Sequence, residues 1–111
     1  MNINTEYYIP ELASSSIKQY NEYEIELKIY ENFSLNIIIK KNNDSSYYEN
    51  NFSEAYLQQK FNTNEVINNI YNIICDLIEK KKVDIKINNN NLNFKLKYND
   101  LYIRLILKTS Y

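Results

Sequence analysis

From Asn21 onward, apolar and polar side chains alternate along the chain. Tyr23, Ile25, Leu27 and Ile29 interleave with Glu22, Glu24, Glu26 and Lys28, the period of a strand with one buried face. Glu31 to Ser34 reads as a turn. Leu35, Ile37 and Ile39 then alternate with Asn36, Ile38 and Lys40 in a second strand. Asn42, Asn43 and Asp44 supply the next turn, and Tyr48, Asn50 and Phe52 mark a third strand over Ser46 to Phe52. The turns use Asn and Asp, the residues other than glycine that reach left-handed backbone at lowest cost.

At Phe52-Ser53-Glu54 the period changes. Ser53 is a candidate N-cap with Glu54 in the first turn, and Tyr56, Leu57 and Phe61 follow at helical spacing, so a short helix is expected from Ser53 to Lys60. A long helix comes next, with Thr63 as its expected cap. Val66, Ile67, Ile70, Ile73, Ile74, Leu77 and Ile78 fall on one stripe, and Asn68, Asn69, Asn72, Asp76 and Glu79 on the other side. Lys80 to Lys82 end it, where positive charge complements the helix dipole. Period two then returns in three runs: Val83, Ile85, Ile87; Leu92, Phe94, Leu96, Tyr98; and Leu101, Ile103, Leu105, Leu107. Asn88 to Asn91 and Asn99-Asp100 are the hairpin turns between them. The expected class is α+β: an antiparallel sheet or small sandwich, with a short helix and one long amphipathic helix inserted between two three-stranded meanders. Residues 21–111 read as one domain. Residues 1–20 read as an N-terminal arm, with Tyr7, Tyr8 and Ile9 as a short edge strand ended by Pro10 and Ser14 to Ser16 as a loop.

This order of elements, with Phe52-Ser53-Glu54-Ala55-Tyr56-Leu57 leading into the helices and a closing meander, resembles the globular head domain shared by the centriolar cartwheel spindle-assembly protein and the end-joining repair scaffold. The resemblance covers roughly residues 21–108. It implies a domain that makes head-to-head contacts, with the Tyr98 to Tyr102 turn as the hairpin tip and Leu101 or Tyr102 as the knob. The long coiled coil of that superfamily has no counterpart here, since no heptads are present.

Composition narrows the chemistry. The 111 residues include no histidine, no glycine and one cysteine, Cys75. Ser-His-Asp and Cys-His arrangements are therefore excluded, as are a sulfur zinc cage, an internal disulfide, and the glycine loops that cradle phosphates. The abundance of Asn, Ile, Lys and Tyr follows codons poor in G and C, so their number alone carries no functional meaning. Cys75 reads as a partly buried structural thiol, and Asp76 and Glu79 as solvated helix charges. The expectation is a protein that is not an enzyme and needs no cofactor. Met1 to Ser16 offers neither a basic residue nor the roughly 7–15 residue apolar run of a secretory signal, so an intracellular, cytoplasmic location with no membrane association is expected.

Charge is segregated along the sequence. Residues 1–31 carry two basic and six acidic groups, residues 32–79 three and six, and residues 80–111 eight and two, for a formal net charge of −1. On outward positions the first strand shows Glu22, Glu24 and Glu26, and the last strands show Lys86, Lys95, Lys97, Arg104 and Lys108. One expectation is cross-strand pairing between these two sets. The alternative is a basic sheet face that binds nucleic acid, with Tyr102 as a stacking platform. The leading functional expectation is a protein-interaction or scaffold domain, self-association included, that works through Tyr98, Leu101, Tyr102, Ile106 and Ile38. A small inhibitor or immunity-type protein acting through its acidic first strand is a further alternative.

Overall fold

The computed structural model describes residues 9–110. Among them run β1 (Leu12–Tyr20), β2 (Tyr23–Tyr30), β3 (Ser34–Lys41), β4 (Tyr47–Ser53), α1 (Glu54–Phe61), α2 (Ile67–Glu79), β5 (Val83–Asn88), β6 (Asn91–Tyr98) and β7 (Leu101–Ser110). The strands form one antiparallel sheet in the order β1-β2-β3-β4-β7-β6-β5. The α+β class thus stands, and the second layer is helical rather than a facing sheet. Alternation within the strands puts Ile25, Leu27, Leu35, Ile37, Leu92, Phe94, Leu105 and Leu107 on the inner face. There they are fully buried with Leu57, Ile70 and Ile74 from the helices.

Five asparagines stand in for glycine: Asn21, Asn43, Asn62, Asn89 and Asn99 all have positive φ. Phe33 (φ 60) and Lys81 (φ 58) adopt the same region without an Asn side chain to ease it. The Phe33 turn is held from outside, since its carbonyl accepts the Glu54 amide at 3.0 Å.

The expected cap of α1 is present, with Ser53 Oγ accepting from the Tyr56 amide at 3.1 Å. That of α2 is not. Thr63 Oγ1 instead accepts the Glu65 amide, and the helix starts at Ile67 behind Val66, whose side chain cannot cap. The Glu54 carboxylate, at the start of α1, accepts the Ile67 amide at 2.9 Å and brings negative charge to the positive end of α2. One side chain thereby ties the two helices together. Val66, expected on the buried stripe, is 55% exposed as a consequence of lying outside the helix.

The reading of Ser14 to Ser16 as a loop is corrected: they lie in β1, paired along β2 through Ser14↔Ile29, Ser15↔Lys28 and Ser16↔Leu27. No apolar alternation marks this strand because its inner face is polar. Tyr71 OH donates to Ser16 Oγ at 2.8 Å, and Lys18 Nζ donates to Glu79 Oε1 at 2.6 Å, both across to α2. That hydrogen bond holds the Lys18 ammonium above its ordinary pKa of 10.5. Tyr7 and Tyr8, of the expected short edge strand, lie outside the described residues, and Ile9 is not in a strand.

Two contacts set the shape of the sheet. Tyr20 OH donates to the Val83 carbonyl at 2.9 Å, linking β1 to β5, the strands at opposite ends of the order, so the sheet curls around the helices. At its middle, β4 and β7 pair only at Tyr47↔Ser110, Tyr48↔Thr109 and Glu49↔Lys108. Beyond that point they part. Asn50 Nδ2 bridges to the Ile106 carbonyl at 2.9 Å before β4 turns into α1. The sheet is thus two halves, β1 to β4 and β5 to β7, joined by a short seam over a shared core.

Candidate functional site

Both helices pack on the inner face, and no described residue covers the outer one. On β5, β6 and β7 the register arranges outward side chains in rows. Asp84, Lys95 and Arg104 form one row, Lys86, Asn93 and Ile106 the next, and Asn88, Asn91 and Lys108 a third. At the other end Lys97 pairs with Tyr102, and the Lys97 amide donates to the Lys82 carbonyl at 2.9 Å, adding Lys82 to a fourth row. Successive rows are two residues apart, or about 6.8 Å.

The five expected cations Lys86, Lys95, Lys97, Arg104 and Lys108 therefore share one surface, and Lys81 and Lys82 extend it. None of the seven makes an ion pair among the described residues. Asp84 is the acid within the rows, and Glu49 and Asp100 stand at their margins. Tyr102 projects from this surface, 77% exposed, with Lys97 Nζ 5.8 Å from its ring centroid. Lys81, Lys82, Asp84, Lys95, Lys97 and Tyr102 line a shallow cleft of about 350 Å³. Lys81 and Lys82 escaped sequence reasoning because they serve as helix terminators. The signal that could have found them is Lys82 lying one residue before a strand whose parity points it outward.

The other half of the outer face is matched within itself. Glu24 lies 3.8 Å from Lys40, Glu22 3.5 Å from Lys41, and Glu26 3.8 Å from Lys28. Asn36, buried despite its outward position, donates through Nδ2 to Glu49 Oε2 and Asn51 Oδ1, both at 2.9 Å. The expected pairing of the acidic first strand with the basic last strands does not occur, because β3 and β4 lie between them. Its carboxylates find lysines on β2 and β3 instead.

The expected apolar contact residues divide three ways. Tyr102 is fully outward, and Ile106 (38% exposed) and Leu101 (37%) are partly open. Tyr98 turns inward, its ring 5.6 Å from that of Phe61. Ile38 is half-buried on β3, opposite Glu49, two strands away from β7. Arg104 separates Tyr102 from Ile106 on their own strand, so the outward apolar residues do not merge into one patch.

Elsewhere the chemistry is spoken for. Glu79 pairs with Lys18, Asp76 lies 2.9 Å from Lys80, and the half-buried Cys75 thiol lies 3.5 Å from Ser16 Oγ. A second cleft, of about 410 Å³, opens where β4 and β7 part, but its lining (Asn50, Asn51, Phe52, Ser53, Tyr56 and Ile106) is uncharged.

No protein-family model and no curated protein matches this chain. The outer face is therefore read from its geometry alone. No helix of the described residues is long and apolar enough to cross a membrane.

Proposed function

We propose that the protein is a non-enzymatic interaction domain whose partner sits on the outer face of β5, β6 and β7 and presents negative charge there. The supporting observation is the set of seven cations that make no ion pair among the described residues, around an exposed tyrosine, in a chain whose net charge is −1. Like charges directly opposite one another, as Lys95 and Arg104 are, destabilise a sheet by some tenths of a kcal/mol. A fold that could match these charges, as its other half does, and leaves them unmatched has them available for a ligand. Tyr102, at the hairpin tip where the head-domain resemblance puts its contact, belongs to the same surface, while Leu101 shares the side of Tyr98. A second copy of the chain is one such partner, because its residues 1–31 are acidic.

Retention on heparin at low salt tests the reading. The protein is expected to bind and to elute as salt rises, and the double variant Lys95→Glu, Arg104→Glu to flow through. Passage of the unmodified protein without retention would remove the proposal. Light scattering at high concentration separates the versions: a strict monomer eliminates self-association and leaves an external anion.

A further inference from the structure

We infer that the anionic partner is single-stranded nucleic acid, laid along β7 and β6 with a base on Tyr102 and its phosphates on the flanking cations. This rests on the proposal that the outer face of β5 to β7 is the binding surface, and three features carry it to a particular chemistry.

The first is the tyrosine. A ring that is 77% exposed on an open sheet, with the Lys97 ammonium 5.8 Å from its centroid, leaves most of its π surface open to solvent. Base stacking uses such a face, and does so without regard to sequence because every base has one. Duplex nucleic acid keeps its bases stacked on each other and has none to offer. Nor do the helices suit a groove: α2 carries no basic residue between Ile67 and Glu79, and Lys60 is the one cation on α1.

The second is spacing. Outward residues on β7 and on β6 recur every two residues, about 6.8 Å. This is comparable to the interval between successive phosphates of an extended single strand. From Tyr102 the cationic positions along β6 and β7 are Lys97, then Lys95 with Arg104, and, beyond the neutral pair Asn93 and Ile106, Lys108, with Lys86 on β5 beside that neutral pair.

The third is the nature of the contact groups. All seven are Lys or Arg side chains, whose charge suits phosphate oxygens. An acidic protein surface of comparable affinity needs buried apolar or aromatic anchors at its centre, and here Ile106 and Tyr102 are separated by Arg104. The cleft of about 350 Å³ beside Tyr102, lined by Val83, Asp84 and Leu96 as well as by Lys81, Lys82, Lys95 and Lys97, adjoins the stacked base, with its lysines in reach of the neighbouring phosphate.

Fluorescence anisotropy with a labelled oligothymidylate, the same sequence as a duplex, and polyglutamate, all on the full chain, provides the test. The single strand is expected to bind most tightly, with log affinity falling against log salt by roughly 0.7 per phosphate contact, so about three to four contacts give a slope near −2.5. Tyr102→Ala is expected to weaken single-strand binding roughly 5- to 100-fold, and Tyr102→Phe to leave it nearly unchanged, since stacking needs the ring and not the hydroxyl. Arg104→Gln is expected to reduce the salt slope by roughly 0.7. Tyr102 is exposed, so its variants test binding without threatening the core. Polyglutamate or duplex binding as tight as the oligothymidylate, with Tyr102→Ala without effect, would overturn the nucleic-acid inference and leave the anion-binding surface standing. Failure of all three probes to bind would remove both.

Discussion

The two halves of the sheet share a core and differ on the outside. In the half built on β2, β3 and β4, Glu24 pairs with Lys40, Glu26 with Lys28 and Glu22 with Lys41, and a buried asparagine joins Glu49 to Asn51. On β5, β6 and β7 Lys95 lies between Asp84 and Arg104 and Lys108 lies opposite Glu49, none of these cations makes an ion pair among the described residues, and a tyrosine stands clear. The sequence bias toward Lys and Asn is common to both halves, so composition does not explain the difference. Placement does. One half has outward charges matched by ion pairs, and the other leaves its outward cations without one among the described residues.

The largest expected effect asks whether the halves are one unit at all. Their sheet ladder is short, three paired positions between β4 and β7 plus the Asn50–Ile106 and Tyr20–Val83 hydrogen bonds, yet α1 and α2 pack beneath both. If the shared core couples them, Phe94→Ala on β6 and Ile37→Ala on β3 each lower the stability of the whole domain, by about 3–5 and 2–5 kcal/mol respectively. Both residues are fully buried. Urea unfolding followed by far- and near-ultraviolet circular dichroism is expected to show one coincident transition for each variant. Two separated transitions, only one of them shifted, would mean that the halves fold independently and that the comparison is between two modules.

Asn36 sharpens the contrast at the next level. It serves two acceptors from a buried position, so Asn36→Ala leaves Glu49 and Asn51 without their donor and is expected to cost about 1–3 kcal/mol. Asn93, at an outward position on β6, makes no side-chain hydrogen bond among the described residues, and Asn93→Ala is expected to change stability by less than about 0.5 kcal/mol. Equal costs at the two sites, from denaturant midpoints, would show that the outer faces do not differ in internal satisfaction.

How much of this was legible in the sequence follows from which interactions are local. Strands β2, β3, β6 and β7 were readable because Ile25 to Ile29 and Leu92 to Leu96 alternate on a buried face, and alternation is a property of neighbours in the chain. Strand β1 was not, because Ser16 and Lys18 meet α2, and Tyr20 meets β5, through polar atoms and carry no apolar period. The start of α2 was missed because its cap comes from Glu54, 13 residues earlier, at the far end of α1. Parity alone placed Lys86, Lys95, Lys97, Arg104 and Lys108 on one side of their strands. It also placed Tyr98 with Leu92, Phe94 and Leu96 on the inside, and a reading of the hairpin tip as a contact surface overrode that signal. Strand order was the information truly absent. Alternation fixes which face a residue occupies and leaves open which strand lies beside it, so the acids of β2 could not be kept apart from the bases of β7 until β3 and β4 were seen between them.

The smallest expected effect separates the halves by sign. Removing a charge from the matched half takes a partner from its neighbour, so Glu24→Gln, which leaves Lys40 alone, is expected to destabilise by about 0.2–0.5 kcal/mol at low salt. Removing one from the unmatched half relieves repulsion, so Arg104→Gln, which frees Lys95 from a like charge directly opposite, is expected to stabilise by a similar amount. Near 1 M salt, where the screening length is about 3 Å, both differences are expected to vanish. Thermal midpoints of the two variants across a salt series read this directly. Shifts of the same sign would mean that the unpaired cations carry no strain, and with it would go the reason for thinking that their arrangement is held for a ligand. Opposite signs, together with the weaker nucleic-acid binding expected of Arg104→Gln, would make one residue the measure of both quantities: what the basic face costs the free protein and what it contributes to the complex.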